Sequence, residues 1–466
     1  MSNDDVTGLA SLFLHLESPR TPMHMASVAV FEGAPLRQPD GSLRVHDLRR
    51  QLLARSEHLP RLRQRPSQSL LGLVGQHWED DPHFDITNHV RVAAVPEPGD
   101  DDELLRLCGE LLAVPLDMTR PLWELWLVDG LAHGRVALVQ KLHHALTDGL
   151  GSVDLATALL DARRRPLRAP ASAATSGPAS EPAPDRPPTA PGGWRRIGGL
   201  LGAARHPAAP WRRMSRLVEA FATFASPWTV APRSSMNDTV GLHRRLAVCR
   251  RSLEPLRAVA HERGVSFNDV LLTGVVGGAR VLLASRGEAL AGRSLQVLVP
   301  VGHGGHVAVA LGNDVSAFVV RLPLDVDDPL LLLDAVSDAV ARRKAEHQDA
   351  AGDALVGLLD HLPAAAMHLV SGIVQHQPFV NVVVTDVPGP PAPLYCLGAR
   401  MLEVFPFVPL AGNLAVGVAA FTYNGKLTVG LQADRDRCPD VARFADGVDA
   451  TFTRLLRREG KLHHAA

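Results

Sequence analysis

The chain is short of cysteine, of tyrosine and of net charge. Its 466 residues hold 4 cysteines and 2 tyrosines, and 48 Lys plus Arg stand against 49 Asp plus Glu. The cysteines (Cys108, Cys249, Cys396, Cys438) are scattered without a Cys-x-x-Cys pair. That gives no thiolate metal site and fits a reducing compartment. Balanced charge removes any global argument for nucleic acid as a partner. The N-terminus, MSNDDVTG, is acidic and polar where a signal peptide would be basic and then apolar. Long apolar runs are scarce too. Val270 to Ala279 is too short to span a bilayer and contains glycine. Val404 to Tyr423 is long enough, but Pro406, Pro409 and Asn413 break it into strand-like pieces. No Gly-x-Ser-x-Gly elbow offers a serine for an acyl-enzyme. The expectation is a cytoplasmic protein that at most lies on a membrane.

What is present is length and α/β patterning. A chain of 466 residues exceeds one ordinary core and predicts at least two domains. Residues 1–163 read as an α/β unit. Helical patterns cover Leu9 to Glu17 and Val45 to Glu57, and a helix opening at Asp101-Asp102-Glu103 ends before Pro115. Strand patterns cover Ala26 to Phe31, Thr119 to Val128, and Arg135 to Leu142. Residues 164–193 are Pro, Ala, Ser and Thr with almost no large apolar side chain, the composition of a disordered linker. Residues 194–235 form a basic amphipathic connector. Arg212, Arg213, Arg216 and Glu219 share one helical face, and Trp211, Met214, Leu217, Val218, Phe221 and Phe224 share the other. Such a helix can dock on the body of the protein or lie in a headgroup layer; both readings stay open. Over 236–466 the α/β pattern resumes. Helices are expected at Ser252–Gly264, Ser266–Ser285, Leu330–His347, Leu355–Gln375 and Val441–Arg457. Strands are expected at Leu295–Val301, Val315–Leu322, Val380–Thr385, Val416–Tyr423 and Leu427–Ala433. Gly274, Gly277 and Gly278 on one of those helices predict close packing against another backbone.

Between the strand ending at Leu142 and apolar positions at helical spacing from Val153 lies His143-His144-Ala145-Leu146-Thr147-Asp148-Gly149. Neighbouring strand residues point to opposite faces, so the two imidazoles cannot share a task. One can enter a cavity as a general base, which needs a near-neutral pKa and a fixed ring; the other can brace the scaffold. A pair of ordinary core histidines beside an Asp-Gly turn is the bland alternative. Adjacent histidines on a strand diverge, and metal sites use wider spacing, so no metal is expected.

Several motifs together resemble the bacterial wax ester synthase/diacylglycerol acyltransferase family. They are Leu12-Phe13-Leu14-His15-Leu16-Glu17 with Pro22-Met23-His24; Arg120-Pro121-Leu122-Trp123-Glu124; the His143-His144 to Asp148-Gly149 stretch; Asn268-Asp269-Val270; and Val387-Pro388-Gly389-Pro390. The histidine motif alone is shared with condensation domains and other CoA-dependent acyltransferases. Two positions depart from the pattern: Asp386 stands where asparagine is expected, and Val299-Pro300-Val301-Gly302-His303 lacks the usual Ser and Arg.

The resemblance implies an α/β fold of two chloramphenicol-acetyltransferase-like domains with mixed sheets and a tunnel between them. It implies acyl-CoA as a substrate, diacylglycerol or a long-chain alcohol as acceptor, no further cofactor, and peripheral contact with a membrane or lipid droplet. His144 would be the base, with His143 structural and Asp148 holding the loop. Gly149 would supply backbone freedom, while Pro121, Leu122 and Trp123 would line or support the acyl channel. Asn268 would either orient an oxyanion or cap its own helix. Rival readings are another acyl-CoA or condensation-type acyltransferase, and a non-catalytic droplet-coating protein.

Overall fold

The computed structural model describes residues 5–67, 76–147, 155, 159–164, 230–302, 315–345, 359, 362 and 364–460. In chain order the helices are α1 (Gly8–Leu16), α2 (Val45–Ser56), α3 (Asp101–Ala113), α4 (Leu253–Arg263), α5 (Phe267–Ser285), α6 (Pro329–Ala345), α7 (Ala364–Gln375) and α8 (Val441–Arg458). The strands of the first half are β1 (His24–Phe31), β2 (Gln64–Pro66), β3 (Trp78–Asp80), β4 (Val90–Ala94), β5 (Trp123–Asp129) and β6 (Val136–His143). Those of the second are β7 (Arg244–Ser252), β8 (Ser294–Gly302), β9 (Val315–Pro323), β10 (Val382–Pro388), β11 (Tyr395–Cys396), β12 (Ala399–Phe407), β13 (Val416–Tyr423) and β14 (Lys426–Asp434).

Two mixed six-stranded sheets result, ordered β11-β12-β1-β6-β5-β4 and β7-β14-β13-β10-β8-β9. In the first only β4 and β5 run parallel; in the second β10 runs parallel to both β13 and β8. This is the mixed α/β architecture expected. Central β6 is buried at every residue, which explains its near-continuous apolar sequence. β12 is the surprise. It belongs in sequence to 236–466 but pairs with β1, Ala26 opposite Phe407 and Val28 opposite Phe405. The strand carries Pro406 within it, the residue that in sequence marked a break.

The second sheet is covered by α5 and α8. A Cβ on Gly277 would lie 1.9 Å from Thr451 Oγ1, and one on Gly274 would lie 2.4 Å from the Phe452 ring. The three glycines therefore permit the close crossing that the sequence predicts. α5 is the one described helix long and apolar enough to cross a membrane, and 72% of it is buried inside the protein. It is a core helix. Of the helix expected over 355–375, Leu359 is helical, Leu362 is not, and α7 covers Ala364–Gln375; the other residues of 355–363 lie outside the described ones.

The ends of these elements place the two sheets against each other. β13 begins beside Met236, whose carbonyl accepts from Ala415 N at 3.0 Å. α5 ends on that same edge, with Arg286 bound to Asp440 and to Ser235. Hence α5 starts on the opposite edge, where β8, β10 and β13 finish. Arg244, first in β7, donates to Arg20 O and ties the near edge to the turn between α1 and β1.

Candidate active site

β6 delivers His143 at its last residue, directly opposite His24 of β1. The His143 side chain is fully buried. Its Nδ1 accepts the Ala145 N–H at 3.0 Å, which leaves the proton on Nε2. That nitrogen lies 3.3 Å from Glu17 Oε2, at ion-pair distance. The same Glu17 oxygen accepts Met23 N–H at 2.5 Å. Nδ1 is thus committed to the scaffold, whereas Nε2 lies beside the Glu17 carboxylate without a hydrogen bond among the described residues.

His144 begins the turn after β6 and is half-buried. Its backbone N donates to Met23 O at 2.8 Å. Its ring stacks on Phe13 of α1, centroids 4.1 Å apart and planes 21° from parallel. α1 and its C-cap therefore flank both histidines: Phe13 stacks on one ring and Glu17 lies beside the other. Sequence reasoning quoted both residues without giving either a role. The available signal was a lone glutamate ending an otherwise apolar helix.

A buried polar cluster backs this strand end. Lys141 is 1% exposed, and its Nζ donates to Val114 O at 2.9 Å and lies 3.3 Å from Glu124 Oε2. Burial lowers its pKa, and Glu124 opposes that change. His24 Nε2 donates to Leu112 O at 3.0 Å. Burial drives the His24 imidazole well below its ordinary range, and Lys141, His143 and Arg244 push the same way. His24 is neutral at physiological pH and caps the carbonyl end of α3.

The Pro121-Leu122-Trp123 segment lies alongside. Leu122 O accepts the His143 N–H at 3.0 Å. Trp123 Nε1 donates to Leu62 O at 2.8 Å, and its ring stacks on His89 at 4.5 Å. Leu122 and Trp123 are buried in the core of the first sheet, so their geometry is that of support. Asp148 and Gly149 lie outside the described residues, as do the connector arginines Arg212, Arg213 and Arg216.

Asn268 requires a correction. The N-cap of α5 is Ser266, in a capping box with Asp269, so Asn268 does not cap the helix. Among the described residues, no cluster of His, Cys, Asp or Glu is able to hold a metal ion.

The catalytic-domain model of the wax ester synthase/diacylglycerol acyltransferase family matches residues 6–271, and its C-terminal-domain model matches 311–456. The chain belongs to that family. It is 31% identical over 469 residues to a probable diacylglycerol O-acyltransferase of Mycobacterium tuberculosis, covering 97% of this chain and 95% of that protein. A second M. tuberculosis protein of the same description is 31% identical over 458 residues, covering 97% and 98%. Among solved structures, the wax ester synthase/diacylglycerol acyltransferase of Marinobacter aquaeolei aligns with a TM-score of 0.71 at 26% identity, covering 98% of this chain and all of that one. The first condensation domain of the calcium-dependent antibiotic synthetase aligns at 0.59 and 15% identity, over 98% and 96%. That likeness extends to the fold alone.

Within the family pattern, the departure at Asp386 has a physical signature. The residue lies on β10 opposite Ala420. Its Oδ1 is buried without a hydrogen-bond partner among the described residues. Burial pushes the carboxyl up to about 6, with Arg257 pulling the other way. An asparagine there would carry no charge to desolvate. His303 lies outside the described residues.

Proposed function

We propose that this acyltransferase moves a long-chain acyl group from acyl-CoA to a hydroxyl of diacylglycerol or of a long-chain alcohol, with His144 as general base. The observation that carries this reading is the division of labour between adjacent histidines. His143 is fully buried with Nδ1 accepting from the backbone, while His144 is half-buried in the turn after β6, held by its backbone and by the Phe13 ring. A held imidazole near neutral pKa is what proton abstraction requires. His144 takes the hydroxyl proton as the oxygen attacks the thioester carbonyl. The tetrahedral intermediate collapses, the C–S bond breaks, and the CoA thiolate recovers the proton from His144. Binding both substrates in one passage between the sheets supplies proximity. Asp148 and Gly149 shape the loop that follows, and Pro121, Leu122 and Trp123 support the acyl side. Acyl-CoA is a substrate in this scheme, so no resident cofactor enters it. The protein works in the cytoplasm, at the inner membrane face or a lipid droplet.

The test is to incubate purified protein with radiolabelled palmitoyl-CoA and either diacylglycerol or hexadecanol, then resolve the neutral lipids. Wild type forms at least one ester. His144→Ala slows that product by about 10²–10⁴-fold with an unchanged thermal transition. A wild type that forms neither ester overturns the reading, as does a His144→Ala protein of undiminished rate. The latter result is what a droplet-coating protein would give.

A further inference from the structure

β6 sends one polar side chain to the same face as His144. Gln140, Leu142 and His144 alternate onto one side of the first sheet, and Leu142 packs in the cluster that also takes Phe13, whose ring stacks on His144. Around Gln140 that face is apolar, with Met25, Ala29, Leu125 and Leu138 in the same cluster. Gln140 stands opposite Ser27 of β1, and Ser27 opposite Pro406 of β12. Ser27 and Pro406 are half-buried although β1 has a strand on each side, so the row is open on one face. The second sheet meets the first beside it, where a Cβ on Gly430 of β14 would lie 1.8 Å from Pro406 O. The row therefore borders the passage between the sheets.

The Ser27–Gln140 pair is incompletely satisfied. Ser27 Oγ donates to Gln140 Oε1 at 3.4 Å, a long contact. Gln140 is only 9% exposed, and its Nε2 is buried with no hydrogen-bond partner among the described residues. A buried amide donor without an acceptor costs stability, and native structures rarely keep one without a reason. The terminal torsion of a glutamine is soft, so the amide can turn an N–H toward the passage.

That donor calls for an oxygen carried on a molecule that is otherwise hydrocarbon. A long-chain alcohol has a single oxygen, and His144 takes it. A diacylglycerol brings ester carbonyls as well. Gln140 and His144 are four residues apart, about 13 Å at Cα, and their side chains narrow the gap to the reach of a glycerol with its esters. We infer that Gln140 donates to an ester carbonyl of diacylglycerol and so selects that acceptor over a plain alcohol. The inference rests on the acyl-transfer reading and names the preferred acceptor of its site. A plain alcohol leaves the amide unpaired, and a site built around a buried donor discriminates against a ligand that cannot accept from it.

The experiment is equilibrium dialysis of the full chain, without acyl-CoA, against radiolabelled dioctanoylglycerol and radiolabelled decanol. Gln140→Leu lowers the ratio of the two affinities roughly tenfold, the loss falling on dioctanoylglycerol. Gln140→Met keeps an unbranched side chain without the amide and gives the same fall, which covers a leucine variant that fails to fold. A ratio within about twofold of wild type in the folded variant, less than a lost hydrogen bond is worth, overturns the inference. So does an equal loss on both ligands, or a wild type that binds no dioctanoylglycerol. Because binding needs no turnover, its failure leaves acyl transfer standing. A selective loss in a protein that forms no ester strikes the acyl-transfer reading alone.

Discussion

Replacing Asp386 by asparagine should stabilise this protein at neutral pH and do nothing in acid. The native carboxyl titrates at about 6 because burial disfavours its charge, against about 3.9 for an aspartate in an unfolded chain. Between those values the folded state binds more protons than the unfolded one, so stability falls as pH rises through that window. Above it the deficit is complete. A displacement of about two pH units is worth about 3 kcal/mol, and partial contact with water lowers the realised gain to about 1–3 kcal/mol. Asparagine is nearly isosteric and removes the charge, although its amide still needs a partner for the buried oxygen position. The assay is urea denaturation of both proteins at about pH 8, 7, 6 and 5. Asp386→Asn should be the more stable at the two higher values, with the gap closing below about 6. A gap independent of pH, or an asparagine variant less stable at pH 8, would refute the reasoning.

Three further outcomes are expected. Phe13→Ala removes the ring against His144; an aromatic pair worth about 0.5–1.5 kcal/mol should lower kcat by roughly 2- to 12-fold, read with saturating palmitoyl-CoA, while KM for acyl-CoA stays put. Lys141→Ala leaves Val114 O without its donor and removes one of the partners of Glu124, which keeps Trp126 and Arg91, and should cost about 1–3 kcal/mol in denaturant titration, whereas Arg50→Ala, in an exposed pair with Asp47, should cost under about 1 kcal/mol. Gly277→Ala drives a methyl into Thr451 and should cost about 1–3 kcal/mol; a Tm equal to wild type would mean that α5 and α8 part easily.

Local pattern carried much of this structure, and partnership carried the rest. α5 and α8 fall within a residue or so of their expected bounds, because a capping serine and sustained apolar spacing are local signals. β7 escaped notice because RRLAVCRRS carries four arginines, the buried Arg244 among them, and charge masked the apolar pattern. β12 could not be assigned to its sheet, since nothing in 399–407 names β1 as a neighbour. At the site, the divergence of the histidine pair was legible because neighbours at a strand end point to opposite faces. Glu17 and Phe13 were not, because their meaning comes from α1 lying across the end of β6. Asn268 misled as a cap, because Ser266 two residues earlier holds that place.

The loan of β12 to the first sheet has a consequence for biogenesis. Until Phe407 leaves the ribosome, the edge of β1 that β12 will cover stays open, and an open edge recruits stray strands. Cutting the gene within 164–193 would therefore not yield two autonomous halves. The upstream piece would emerge sticky and the downstream piece would carry an orphan strand, so only co-expression should restore a soluble protein.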